Sequence, residues 1–504
     1  MEDYKKIVAE DLTLDPKNWS EIRSIGHEMI DDIMDYLENI RERPVWNKMP
    51  DEAKNFLNNG LPQDPQSIRS VYDEFKKFIF PYAKGNIHPR YFAWVQGAGT
   101  PFGVLADMLA STMNPNVTIG EHAAMYVDQE VVNWCKEIIG FSSTASGILL
   151  SGGSMANITA LCVARNHQLN KAIRRKGLYA SDKKLVLYCS VGTHSCIEKA
   201  ASILGLGEES LRKISVNGNH QINVDELEKV IQKDLDDGYA PFCIVGNVGA
   251  PNTGAIDPLP ELLAISGKYK LWLHIDGAFG ALAKLIPEYA ETLKPLEQVD
   301  SIAFDLHKWM SMPYEIGCVL FKNAEAHRNS FAISPSYLKR EGRGLASGPD
   351  PINNYGFELS RNFKALKVWM SLKEHGIKKF ANIIRQNIAQ AFYTGELIKK
   401  EINLELITPV TFNVVCYRYK NDGLTEEQKN ELNSEIIIQL QEQGIASPSS
   451  TILDEKLVIR LCVVNQRSKK ADFEKLIHET VRIGDAIMRQ NNHSLKTHFS
   501  NIDH

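Results

Sequence analysis

The chain has 504 residues, 43% hydrophobic and 24% charged, with 57 Lys and Arg against 62 Asp and Glu. The resulting net charge of −5 is spread over interspersed signs with no basic stripe, which argues against a nucleic-acid partner. The length exceeds what one hydrophobic core usually organises, so two or three packed units are expected.

The first residues, MEDYKKIVAEDL, are charged throughout and lack the apolar stretch of a secretory signal, so the expectation is a cytoplasmic protein. Residues 18–42 place Ile22, Ile25, Met29, Ile33 and Leu37 at helical spacing, and residues 66–80 form a second amphipathic helix ended by Pro81. These helices have no core of their own and suit packing on a partner subunit. Residues 141–164 carry no charge, yet Gly, Ser and Asn interrupt them. They are too polar for a membrane span and read as a buried turn entering a helix.

From about residue 147 short apolar strands alternate with helices: GILL, KLVLYCS, PFCIVGNV, KLWLHID, SIAFDL and GCVLF. Their continuous hydrophobicity predicts a mostly parallel or mixed sheet flanked by helices, an α/β fold whose ligand sits beyond the carboxyl ends of the strands. Residues 358–400 read as helix, broken after EHG. The last hundred residues alternate again, with strands TFNVVCYRY and KLVIRLCVV around the helix EEQKNELNSEIIIQLQEQG, which predicts a small α/β domain. The polar tail after Arg489 is expected to fray. Eight cysteines show no CxxC pair and sit mostly among apolar neighbours, as reduced core residues do.

Four local patterns carry chemistry. In SIAFDLHKWMSMPYEIGC, Lys308 stands at the end of a buried strand, where desolvation would favour the neutral, imine-forming amine; the alternative is a lysine paired with Asp305. In LWLHIDGAFG, Asp276 ends a strand, and a buried carboxylate requires a cationic partner such as a protonated pyridine nitrogen; the alternative is an Asp capping a helix at Gly277. In LSGGSMANITA, a glycine turn opens a helix with Ser154 beside it, a place where backbone N–H groups bind phosphate. In VGTHS, His194 follows a strand and can stack on a planar ring. The glycine turn is neither GxxxxGKS nor GxGxxG, and no HExxH, clustered Cys/His or GxSxG pattern is present, so ATP, dinucleotide, metal and serine-hydrolase readings lose support. Phosphate site, ring stacker, ring-nitrogen partner and lysine, in that order, together meet the needs of pyridoxal phosphate.

On these segments, with HPRYFAW, VLADML and SPSYLKR, the chain resembles the group II pyridoxal-phosphate decarboxylases, nearest the aromatic-L-amino-acid branch, from about Asp15 to Arg489. The resemblance implies a fold type I enzyme divided into an N-terminal helical segment 1–98, a large cofactor domain 99–375 and a small C-terminal α/β domain 376–504. It implies a homodimer with no nucleic-acid or membrane partner and no metal, decarboxylating an L-amino acid, aromatic in the main reading, to the amine. By the same resemblance Lys308 holds the cofactor as a Schiff base, Asp276 pairs with the ring nitrogen, Ala278 and His194 take the two ring faces, Gly153 and Ser154 bind phosphate, and His307 lies beside the lysine. Tyr337 matches the tyrosine that protonates the substrate carbon. Trp94, Val95, Gln96 and Gly97 match the substrate-pocket segment, and Arg361 and Arg460 match arginines near the site.

The chain departs from the animal enzymes at Asp305, where they carry Asn, at Gly249-Ala250-Pro251, where a Gly-Thr-Thr turn is common, and at the less aromatic Trp94–Gly97 segment. These departures bear on the substrate. Acidic or aliphatic amino acids remain an alternative, as do, with less support, aromatic aldehyde synthesis, a lyase acting on a phosphorylated substrate, and a non-catalytic scaffold.

Overall fold

The computed structural model describes residue 8 and residues 12–169, 172–333 and 341–500, with the side chains of 491–500 excluded. Contacts divide the chain into Met1–Gly85 and Asn86–His504.

In the first unit the helices Trp19–Glu38, Asp51–Phe56 and Ile68–Phe78 account for most of the regular structure. Asn18 and Ser67 start the two longer ones, each side chain accepting from a backbone N–H of the first turn. Those helices are tied by polar contacts: Glu28 pairs with Arg69 at 2.6 Å and Lys76 at 2.8 Å, and the Tyr72 hydroxyl donates to Asp32 at 2.7 Å. Few side chains are buried, Ile25, Ile40, Val45, Ala53 and Tyr72 among them, whereas Trp19, Ile22, Met29, Val71 and Phe75 are exposed.

The second unit is built on a seven-stranded sheet of β1 (Ser146–Leu150), β2 (Leu185–Ser190), β3 (Leu211–Ile214), β4 (Ala240–Asn247), β5 (Trp272–Asp276), β6 (Ser301–Asp305) and β7 (Gly317–Phe321), in the order β1-β7-β6-β5-β4-β2-β3. Pairing is parallel from β3 through β6, and β7 runs antiparallel to both neighbours. Strands β2 and β5 to β7 are buried along their whole length, which explains their unbroken apolar sequence. The uncharged stretch 141–164 becomes β1, a glycine turn and the first part of the helix Gly153–Leu169, most of it buried against the sheet.

A four-stranded antiparallel sheet follows, with β8 (Leu404–Leu406), β9 (Val414–Tyr419), β10 (Ser449–Leu453) and β11 (Lys456–Cys462) in the order β10-β11-β9-β8. Its helix Glu426–Glu442 begins at a reciprocal cap: Thr425 Oγ1 accepts from Gln428 N–H while the Gln428 side chain accepts from Thr425 N–H. The segment after Gly85 joins this sheet, Phe92 N–H donating to Ser447 O at 2.8 Å and Cys462 N–H to Phe92 O at 2.8 Å.

The helix expected over 358–400 starts at Ala365 and is broken at Gly376, whose φ of 68° lies in the left-handed region that glycine tolerates. After Arg489 the described residues continue the final helix, Lys470–Ser500. All eight cysteines are free and buried, and no described helix is long and apolar enough to cross a membrane.

Candidate active site

The carboxyl ends of the parallel strands converge on one edge of the large sheet, and a cavity of about 650 Å³ opens there. β1 delivers Gly152, Gly153 and Ser154; the turn after β2 delivers His194; β5 ends in Asp276 with Ala278 beyond; and β6 runs through Asp305 to His307 and Lys308. Trp94, Val95, Gln96 and Arg460 complete that wall set. Residues from distant parts of the sequence thus line one space of ligand size.

Lys308 stands in a tightly closed turn. Lys308 O accepts from Ser311 N–H at 3.1 Å, Leu306 O accepts from Met312 N–H at 3.2 Å, and Leu306 and His307 N–H both donate to Ile316 O. Trp309 anchors the turn from below: it is fully buried, donates to Asn387 Oδ1 at 3.1 Å, and meets Phe412 edge-on at 5.2 Å. Gly97 closes the other side. Its N–H donates to His307 O at 3.1 Å, and a Cβ there would lie 2.2 Å from His307 O and 2.5 Å from Lys308 O. Gly97 is therefore not a cavity-lining residue as expected; it permits the close approach of two backbones behind the lysine.

The amine of Lys308 lies 2.8 Å from Asp305 Oδ2, an oxygen of a carboxylate whose side chain is 1% exposed. Burial alone would push the lysine down, but Asp305 and, more weakly, Asp276 outweigh it and hold the ammonium above its usual value. The geometry is that of the ion pair with Asp305, the alternative to a neutral amine.

Asp276 is 6% exposed and accepts one hydrogen bond, from Ala278 N–H at 3.1 Å. It closes a turn and does not cap a helix, the next helical segment starting at Gly280 with Phe279 at its cap position, and among the described residues no cation lies within ion-pair distance of it. Burial drives its carboxyl upward, with Lys308 opposing. His194 Nδ1 accepts from Cys196 N–H at 3.1 Å, which in the neutral ring puts the proton on Nε2. His307 is buried and its ring lies 4.2 Å from that of Tyr314.

Arg460, 6% exposed, donates to Ala93 O, Ser449 Oγ and Pro251 O, and its buried Nε has no hydrogen-bond partner among the described residues. Arg361 is not among the lining residues. Its guanidinium is committed elsewhere, with Asp128 at 3.6 Å, Glu358 at 3.2 Å and Val117 O at 3.1 Å. The structure thus places Arg361, expected at the substrate, in a buried ion-pair network. Tyr337 lies outside the described residues.

Sequence reading missed Asn157, Cys196, Asn252, Tyr314 and Ser450, all of which line the cavity. Asn157 and Tyr314 were findable, each lying within a few residues of a motif. Ser450 was not, because β10 reaches the cavity only through tertiary folding.

The residues present fit a cofactor with an aldehyde, a cationic ring and a phosphate. The amine is at hand, the buried Asp276 lacks a cation, and the Gly152-Gly153 turn at a helix start is free of side chains. Such a set on such a sheet defines the fold type I enzymes of pyridoxal phosphate. The chain belongs to the family described as the pyridoxal-dependent decarboxylase conserved domain, matched over residues 50–420, and is thus a carboxy-lyase that uses pyridoxal phosphate. It is 32% identical over 471 residues to an aromatic-L-amino-acid decarboxylase of Bacillus atrophaeus, covering 93% of this chain and 96% of that protein. It is 30% identical over 485 residues to tryptophan decarboxylase 2 of Oryza sativa subsp. japonica, with the same coverages, 93% and 96%. The crystal structure of Oryza sativa TDC with PLP and tryptamine superposes with a TM-score of 0.86 at 24% identity, covering 94% of this chain and all of that one.

Proposed function

We propose that this decarboxylase acts on an aromatic L-amino acid and releases the corresponding amine, with Lys308 as the residue that anchors the cofactor's aldehyde. The observation that carries the site reading is the pair of adjacent strand ends, β5 and β6, that bring a buried carboxylate and a half-buried amine into one cavity with the glycine turn. The aromatic reading is supported by the names of the relatives and by Trp94, Phe279 and Tyr314 in the wall.

When bound, pyridoxal phosphate supplies an electron sink for the pair left behind as carbon dioxide departs. Asp276 would hold a proton at the ring nitrogen, and Ala278 and His194 would bracket the ring. The N–H groups at Gly153 and Ser154 would bind the phosphate, helped by the Ser154 hydroxyl. His307, locked by its bonds to Ile316, would hold the turn that presents Lys308. Arg460 would orient the substrate's carboxylate beside Val95 and Gln96. Tyr337 would deliver the proton to the substrate carbon. We also propose a cytoplasmic homodimer, which the exposed apolar face of Met1–Gly85 supports; sedimentation would give twice the chain mass.

The test is borohydride reduction followed by peptide mapping, with product profiling on tyrosine, DOPA, tryptophan, phenylalanine, glutamate and aspartate. The expected result is a cofactor adduct on Lys308, lost in Lys308→Ala, and amine from the aromatic substrates. An adduct on another lysine refutes the site, and turnover confined to glutamate or aspartate refutes the substrate class. Tyr337→Phe is expected to keep the cofactor but shift product from amine toward carbonyl compound; an unchanged ratio removes Tyr337 from the reaction.

A further inference from the structure

Asp305 is placed unlike any other acid in the cavity. Its Oδ2 holds the Lys308 amine at 2.8 Å, while its Oδ1 is buried with no hydrogen-bond partner among the described residues. Both oxygens lie near the glycine turn: a Cβ on Gly153 would lie 2.9 Å from Oδ2 and 3.6 Å from Oδ1, and one on Gly152 3.7 Å from Oδ1, while Gly317 at the start of β7 packs against Oδ1 from the other side, its Cβ position 2.6 Å away. The carboxylate therefore sits between the amine and the start of the helix Gly153–Leu169.

The other ionisable groups around it are few. His307 Nε2 is 3.8 Å from Oδ2, on a ring whose pKa burial lowers, with Asp305 opposing. Asp276 stands at the end of β5, His194 and the Cys196 thiol follow β2, and Tyr314 and Glu315 precede β7. The glycine turn and the first turn of its helix, Gly152 to Asn157, add no titratable side chain. Among the described residues Lys308 is the only Lys or Arg within ion-pair distance of Asp305.

Loading the cofactor upsets this balance twice. Lys308 must lose a proton to become a nucleophile, and a phosphate at the glycine turn brings a second anion against a buried carboxylate. Two such charges do not both persist in a low dielectric.

We propose that Asp305 is a positioning residue that receives the Lys308 proton on Oδ2 during cofactor loading and, once neutral, donates a hydrogen bond toward the phosphate. The Nζ–H bond breaks and an Oδ2–H bond forms, so no charge enters or leaves the pair. The inference rests on the site reading above.

The experiment uses full-length protein stripped of cofactor and reloaded with pyridoxal phosphate, or with pyridoxal, over a neutral-to-alkaline pH series. Affinity is followed by absorbance and proton exchange by calorimetry in buffers of different ionisation enthalpy. Wild type is expected to take up one proton more per cofactor than Asp305→Asn. By linkage, the ratio of pyridoxal phosphate affinities, variant over wild type, then rises with pH by up to about tenfold per unit. Pyridoxal, which lacks the phosphate, shows a smaller rise. Identical proton counts and parallel pH profiles overturn the proposal. Should the variant not fold, the infrared difference spectrum of wild type decides: a protonated carboxyl band appearing on loading supports the proposal, and its absence overturns it. A borohydride adduct on Lys308 with identical profiles removes Asp305's role alone, whereas an adduct elsewhere removes the site reading with it.

Discussion

His274 Nε2 lies 2.7 Å from Asn157 Oδ1, joining the strand that carries Asp276 to the helix that opens at the glycine turn. The contact belongs to a directional chain. Trp272 N–H donates to Ser301 Oγ at 2.8 Å, Ser301 donates to His274 Nδ1 at 2.9 Å, and His274 Nε2–H donates to Asn157. His274 and Asp276 are two apart on β5 and share a face, so the imidazole sets the depth of the carboxylate relative to the phosphate site.

Replacing His274 by Leu is expected to strand Asn157 and Ser301 without partners, lowering stability by about 1–3 kcal/mol and weakening cofactor retention. Urea unfolding and cofactor titration check this. Wild-type values for both would show that the chain of bonds contributes nothing.

Acid is expected to destabilise the protein from the histidine range downward. Burial holds His274 and His327 neutral, each with a pKa lowered to about 3; His327 lies between Ser146 Oγ and Tyr355 O. Their unfolded values stand near 6.5, so the unfolded chain binds more protons between those limits. Their stabilisation is complete above about pH 6.5 and lost as pH falls toward 3, at up to about 1.4 kcal/mol per unit for each ring. Melting temperature against pH should show this slope, and His327→Gln should flatten it. An equally steep slope in that variant would refute the assignment.

Gly97→Ala is expected to keep the fold but lose the cofactor, because the new methyl meets two backbone oxygens of the lysine turn. Gly26→Ala is the contrasting case: it is within a helix, has nothing within 4 Å of the added carbon, and should gain about 0.5–1 kcal/mol. Circular dichroism with cofactor absorbance separates the two, and full cofactor occupancy in Gly97→Ala would show that the turn relaxes freely.

Arg361→Met is expected to cost about 3–5 kcal/mol by leaving Asp128 buried without its partner, with the KM of the folded fraction unchanged. Adding Asp128→Asn should restore part of the loss. A raised KM at native stability would return Arg361 to substrate binding.

Six strands of the large sheet were legible because burial on both faces leaves an unbroken apolar run. β3, β8 and β10 were not: LRKI and LEL are short and carry charge, and SSTIL opens on three polar residues and is buried only at its two ends. The reversed direction of β7 was also hidden, since pattern reveals a strand and not its polarity. Lys308, Asp276 and the glycine turn could be read because each joins a strand end to a residue with one evident use. Arg361 and Gly97 could not, because a partner distant in sequence decides each.

The reversal of β7 has one more consequence. Residues 306–316 form the closed end of a hairpin whose two stems are interior strands of the sheet. A one-residue insertion there would have to slip one of those stems out of register or swell the turn against Gly97. Length in this segment is thus as constrained as residue identity, and chimeras that graft other pockets onto this scaffold should leave that count untouched.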